Sequence, residues 1–201
     1  MSDRNMQVIF VKQTGHVLAA FTRSADPVAK NEMADLVGTA LPVSNTKLVK
    51  PVVGNGGRLF VPPVSLDFAT VDFEEDAIFS PLSFVVGGPT LNVLGNQVPG
   101  DPVLTKTDIT IVTANAVSPA VAPAVAEDTK VWAEIHQIDP MPGDEPMIRV
   151  VEGKIEKANS SVKLVLRPLP GDQPVPVAAG DYFAVVLMAG YKPLFKKISA
   201  P

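Results

Sequence analysis

Twenty prolines spread over 201 residues, set between short runs of Val, Ile, Leu and Phe, limit what this chain can fold into. Proline has no backbone N–H and its ring blocks helix interiors, so frequent proline keeps every regular element short. Short apolar runs cut by Pro and Gly are the pattern of brief strands joined by many turns. The expected fold class is mainly β, an antiparallel β-sandwich with one short helix near residues 27–37. Asp26 suits the cap of that helix, Pro27 its first position and Gly38 its stop, with Ala29, Met33, Leu36 and Val37 on one face.

Two hairpins are expected early in the chain. Met6–Lys12 and His16–Thr22 flank Gln13-Thr14-Gly15, and Lys47–Val53 and Arg58–Val61 flank Gly54-Asn55-Gly56-Gly57. Further strands are expected over Ser65–Phe73, Ser83–Val86, Thr90–Leu94 and Val103–Thr113, the last alternating Ile109 and Ile111 with Asp108, Thr110 and Val112. Residues Ala114–Asp128 are an Ala/Val/Pro run that reads as a semi-stiff extended linker or long loop. This divides the chain into a β-rich part over 1–113 and a sandwich-like part over 129–201. The second part carries five candidate strands: Lys130–Ile138, Met147–Ala158, Ser161–Arg167, Asp181–Ala189 and Leu194–Ile198. Tyr182–Met188 is apolar on both faces, which requires a central strand or one covered on its second side.

The stretch Ala179-Gly180-Asp181-Tyr182-Phe183-Ala184-Val185, following Val162–Leu166, loosely resembles the end of an immunoglobulin-like sandwich, where such a tyrosine corner precedes a core strand. The resemblance covers the C-terminal ~70 residues and implies a fold only, since this architecture hosts many functions.

Composition excludes several function classes. Without cysteine there are no disulfides, thiol nucleophiles or zinc–thiolate sites. A net charge of −4 gives no electrostatic reason to bind nucleic acid or an anionic membrane. No apolar run approaches the ~18 residues of a membrane span. The first residues lack the basic-then-apolar pattern of a secretory signal, so the expected location is cytoplasmic, or a particle assembled in the cytoplasm.

The most interesting side chains lie on one strand. With Val131, Ala133 and Ile135 inward, Trp132, Glu134 and His136 share the other face, about 7 Å between neighbours. An aromatic platform beside a carboxylate and an imidazole suits a sugar, a cationic ligand or a partner side chain. The plainer structural reading packs Trp132 under a loop and leaves Glu134 and His136 in solvent. Asp72, Glu74, Glu75 and Asp76 are a weak candidate metal cluster, for their spacing fits no calcium loop and suits a solvated turn. Gly54–Gly57 and Gly87-Gly88-Pro89 read as turns, because no helix follows the first to cradle a phosphate. His16 reads as a solvated side chain beside a turn, and Lys192, Lys196 and Lys197 as protection of an edge strand. There is no H-E-x-x-H and no G-x-S-x-G, and none of these patterns requires a cofactor.

With few catalytic residue types and a charged fraction of 19%, below the usual ~25%, the chain reads as a non-enzymatic structural or adaptor subunit of a larger assembly. Its partners would be other protein subunits in a homo- or hetero-oligomer; virion-like and tail-like particles use such small β subunits. The alternative is a ligand- or carbohydrate-binding β-sandwich that stacks sugars on Trp132, Tyr182 and Tyr191.

Overall fold

A computed structural model of the chain describes residues 5–22, 41–44, 58–98, 100–113, 127–138 and 147–201. The expected helix at 27–37, the strand over Lys47–Val53 with its Gly54–Gly57 turn, and most of the 114–128 stretch lie outside the described residues. Over the described residues the protein is mainly β, with several antiparallel sheets.

The first hairpin forms as the alternation predicts. Strand β1 (Asn5–Val11) pairs antiparallel with β2 (Val17–Phe21). Gly15 makes the turn at φ 76°, a left-handed conformation that a Cβ disfavours, and a Cβ there would also stand 2.7 Å from Val85 Cγ2. Strand β3 (Leu41–Ser44) pairs antiparallel with β4 (Arg58–Val61). Strand β5 (Leu66–Asp72) joins the other side of β1 and completes a sheet of order β2-β1-β5.

A five-residue helix, Glu75–Phe79, follows, where sequence suggested a solvated acidic turn. Glu74 accepts the Asp76 N–H as its cap, and Glu75 and Asp76 occupy the favourable first turn. Strands β6 (Phe84–Val86) and β7 (Leu91–Val93) then form a hairpin around Gly87-Gly88-Pro89, with the Gly87 N–H bonded to the Thr90 carbonyl. Strand β8 covers Asn96–Gln97.

The expected single strand over Val103–Thr113 is two: β9 (Val103–Leu104) and β10 (Asp108–Val112), paired antiparallel. The turn between them has neither Gly nor Pro. It is held instead by Thr105 Oγ1, which accepts the N–H groups of Thr107 and Asp108, while Thr105 donates its own N–H to the Asp108 carbonyl. A hydroxyl-built turn of this kind looks like strand continuation in sequence.

The strands of the last third are β11 (Thr129–Gln137), β12 (Ile148–Ile155), β13 (Ser161–Val165), β14 (Gly180–Met188), β15 (Tyr191–Lys192) and β16 (Leu194–Ala200). Four of them make the largest sheet, in the order β12-β11-β14-β16, and β13 pairs with β10 in the sheet β13-β10-β9. The short pair β8–β15 is parallel. Strand pairing and packing therefore connect residues on both sides of the 114–128 stretch.

Period-2 alternation assigns the core. On β14, Tyr182, Ala184, Val186 and Met188 face one way, with Val131, Ala133 and Ile135 of β11, and pack with Leu104, Ile109, Ile111 and Leu164 from the β13-β10-β9 sheet. The odd residues Val185 and Leu187 face the other way with Trp132 and Val150. They meet Ile9, Val11, Leu18 and Leu66 of the β2-β1-β5 sheet and Val61 of β4. The far face of the β2-β1-β5 sheet, with Met6, Val8, Val17 and Val71, packs against Ala77 of the helix and Phe84 of β6. Strand β14 is thus central within its sheet and covered on both faces, as its two-sided apolar run predicts. Full burial of each Val or Leu there stabilises by roughly 1.5–3 kcal/mol.

Gly153, midway along β12, allows one close approach. A Cβ at that position would come to 2.5 Å from Leu164 Cδ2 of β13. The missing side chain is the space that Leu164 occupies.

Candidate functional site

The face of β11 carrying Trp132, Glu134 and His136 is the one predicted, and it is interior: all three side chains are buried and Glu134 is 0% exposed. The reading that left Glu134 and His136 in solvent is overturned. The β2-β1-β5 sheet and β4, both built from residues sixty or more positions earlier, cover that face. Trp132 and Tyr182 are likewise buried, so neither is available as a stacking platform for a sugar. Tyr182 instead donates its hydroxyl to the Ala178 carbonyl at 2.9 Å, four residues upstream.

Glu134 connects two elements. Its carboxylate oxygens lie 2.9 and 3.2 Å from the backbone nitrogen of Phe60, whose N–H it accepts. Phe60 stands opposite Pro42 on β3, and proline has no N–H to offer in return. The Phe60 ring lies 5.7 Å from the His136 ring, centroid to centroid, at a tilt of 47°. His136 Nε2 meets Glu134 Oε1 in an ion-pair contact that makes no directional hydrogen bond, and the imidazole carries charge only when protonated. Burial raises the Glu134 carboxyl above its ordinary value, opposed by the contact with His136 and the Phe60 N–H. Trp132 Nε1, one step along the row, has no partner among the described residues. Chemically the row is an acid–base pair sealed in an apolar layer and clamped to the backbone of β4.

His16 is also buried, contrary to its reading as a solvated turn residue. Its Nε2 lies 2.7 Å from the Tyr191 carbonyl and its Nδ1 2.9 Å from Thr14 Oγ1. A carbonyl can only accept, so Nε2 carries the hydrogen and Nδ1 accepts from the threonine hydroxyl. The ring therefore ties the first hairpin to β15. Burial lowers its pKa to about 4, against the bond to Tyr191, which works the other way.

A pH dependence follows. Below pH ~6.5 the unfolded chain binds a proton at His16 that the folded chain refuses. Stability is thus present above that pH and is lost as pH falls toward about 4, by up to about 3 kcal/mol. Glu134 acts oppositely: its raised pKa gives stability that is full below the ordinary carboxylate value and lost as pH rises through the folded value. Urea midpoints of the wild type and of His16→Asn, compared across that window, should show the wild type losing more stability in acid. Equal slopes would contradict the assignment of a neutral buried ring.

The remaining candidates stay apart. Asp72 ends β5, while Glu74, Glu75 and Asp76 start the short helix, and no group of three or more His, Cys, Asp or Glu among the described residues is placed to hold a metal. Lys196 and Lys197 lie on β16, the end strand of its sheet, paired with Asp101 and Asp181 at 2.8 and 2.6 Å. No helix among the described residues is long and apolar enough to cross a membrane. Sequence reasoning missed the roles of the Phe60 N–H and the Tyr191 carbonyl, backbone groups that leave no trace in residue type. Compared with protein-family models, with curated proteins and with solved structures, the chain matches none of them.

Proposed function

We propose that this chain is a non-enzymatic structural or adaptor subunit of a larger protein assembly, one that packs against other protein subunits as the components of virion-like or tail-like particles do. The observation that carries the reading is where its apolar and polar groups lie. Phe79 is 77% exposed and Val93 71%, and Val64 and Val103 are also largely in solvent. The imidazoles of His16 and His136 and the carboxyl of Glu134 are meanwhile buried and engaged with other parts of the chain. Scattered exposed apolar residues are ordinary. Large ones on short, well-packed elements, with the chemically versatile groups turned inward, suit a surface met by other polypeptides more than one met by a solute.

As part of the same reading, the two sheets around the Ile109 and Val131 core form a β-sandwich, and the Tyr182–Ala178 bond is its corner. The alternative of a sugar-binding module loses two of its three platforms, Trp132 and Tyr182, and keeps only the half-exposed Tyr191.

The test is native mass. Sedimentation or native mass spectrometry of the protein from its own source should give a multi-subunit particle, and Phe79→Asp with Val93→Asp should shift it toward small species while the chain remains folded. A stable species of 21.2 kDa at micromolar concentration would refute the proposal.

A further inference from the structure

We propose that His16 is an acid-sensitive clasp: the neutral ring pins the β14–β16 connection to the turn of the first hairpin, and the protonated ring lets that connection go. The parts lie at two tips of the fold. His16 closes the β1–β2 turn, and β15 lies within the chain that joins β14 to β16, just after Gly190 at φ 82°. The first tip has further anchors, for the Val86 N–H bonds to the Gly15 carbonyl and the Gln13 side chain to the Gly153 carbonyl. The second tip is held more lightly. Besides the ring bond to the Tyr191 carbonyl, β15 pairs over two residues with the exposed Asn96 and Gln97 of β8, and Tyr191 packs at the margin of the core.

The closed clasp has no place for a second proton. The ring is 0% exposed, Nε2 donates to the Tyr191 carbonyl and Nδ1 accepts from the Thr14 hydroxyl, so a proton can enter only at Nδ1. Thr14 must then turn its hydroxyl to accept. Its own hydrogen is left without an acceptor, because Thr14 is buried and its hydroxyl bonds to no other group among the described residues. The imidazolium is also shut away from water with no carboxylate against it. Opening removes both faults by admitting water. The sign follows from the same burial, which holds the enclosed ring at about 4 against ~6.5 for a free imidazole. The open form binds the proton more tightly, and acid therefore favours opening.

The charged groups around the clasp stand outside it. Lys12, at the start of the first turn, donates to the Val64 carbonyl, and Lys192 on β15 is exposed. Tyr191, the other titratable residue of β15, is half-exposed. Glu152 and Lys154 flank Gly153 and are exposed, Lys154 in its pair with Asp128. Val85 and Val86 of β6, and Asn96 and Gln97 of β8, do not titrate. The proton affinity of the ring is set by burial and by the Tyr191 bond, with no charged side chain acting on it.

Hydrogen exchange followed by NMR on the intact chain, expressed as protection factors, tests the clasp. Between about pH 7 and about pH 5, protection within the β8–β15 pair should fall by roughly tenfold or more. It should fall ahead of the Val86 amide on the first tip and the Ala189 amide at the end of β14. His16→Gln keeps an N–H for the Tyr191 carbonyl and takes up no proton, so its profile should be flat, while Lys192→Gln should keep the wild-type slope. A flat wild-type profile, a His16→Gln profile with the wild-type slope, or loss of the slope in Lys192→Gln would overturn the proposal. So would protection at Val86 and Ala189 falling in step with the pair. A second measurement needs no variant. Nitrogen-15 shifts of the His16 ring at about pH 7 should show a neutral imidazole with its hydrogen on Nε2, and a charged ring or a hydrogen on Nδ1 would equally overturn the clasp.

Discussion

Val185→Asp should yield no cooperatively folded protein. Val185 is fully buried, lies in the core between the central sheet and the β2-β1-β5 sheet, and stands directly across from Glu134 in the β11–β14 register. The substitution therefore buries a second carboxyl beside one that burial already drives toward its neutral form. An unpaired buried charge costs several kcal/mol, and a domain of this kind has only about 5–15 kcal/mol in total. Val185→Thr keeps the shape and adds only a hydroxyl, so it should cost about 1–3 kcal/mol. Near-ultraviolet circular dichroism and urea unfolding separate the two variants. A Val185→Asp protein that unfolds at the wild-type midpoint would mean that β14 is not covered on that face.

Trp132→Ala should be the next largest loss, about 3–5 kcal/mol, because it empties the volume of a fully buried indole between two sheets. Trp132→Phe makes the sharper comparison. The indole N–H has no partner among the described residues, so replacing it with a hydrocarbon ring removes an unsatisfied donor along with some volume. Its cost should be well under half that of the alanine variant. Urea midpoints decide the matter, and equal losses for Phe and Ala would show that the N–H is engaged after all.

Much of the architecture could be read from residue order, for a definite reason. Where one face of a strand is apolar, period-2 alternation fixes the orientation of every side chain along it. The β1–β2 hairpin, the opposed faces of β11 and the two-sided burial of β14 all follow from that rule. Residue order could not reveal what covers a face. Trp132, Glu134 and His136 lie on the predicted side of β11, but the β2-β1-β5 sheet and β4 that bury them are remote in sequence and carry no complementary signature. The same limit explains His16, whose turn position suggests solvent while a carbonyl 175 residues away accepts its N–H. The β9–β10 turn escaped notice because threonine hydroxyls, in place of Gly or Pro, make it.

The covering of Ile9, Val11 and Leu66 by Val185 and Leu187 has a bearing on biosynthesis. The ribosome delivers Val185 about 120 residues after Leu66, a delay on the order of ten seconds at ordinary elongation rates. Throughout that interval the oily side of the nascent β2-β1-β5 strands waits for its lid, which makes it a natural docking point for a chaperone.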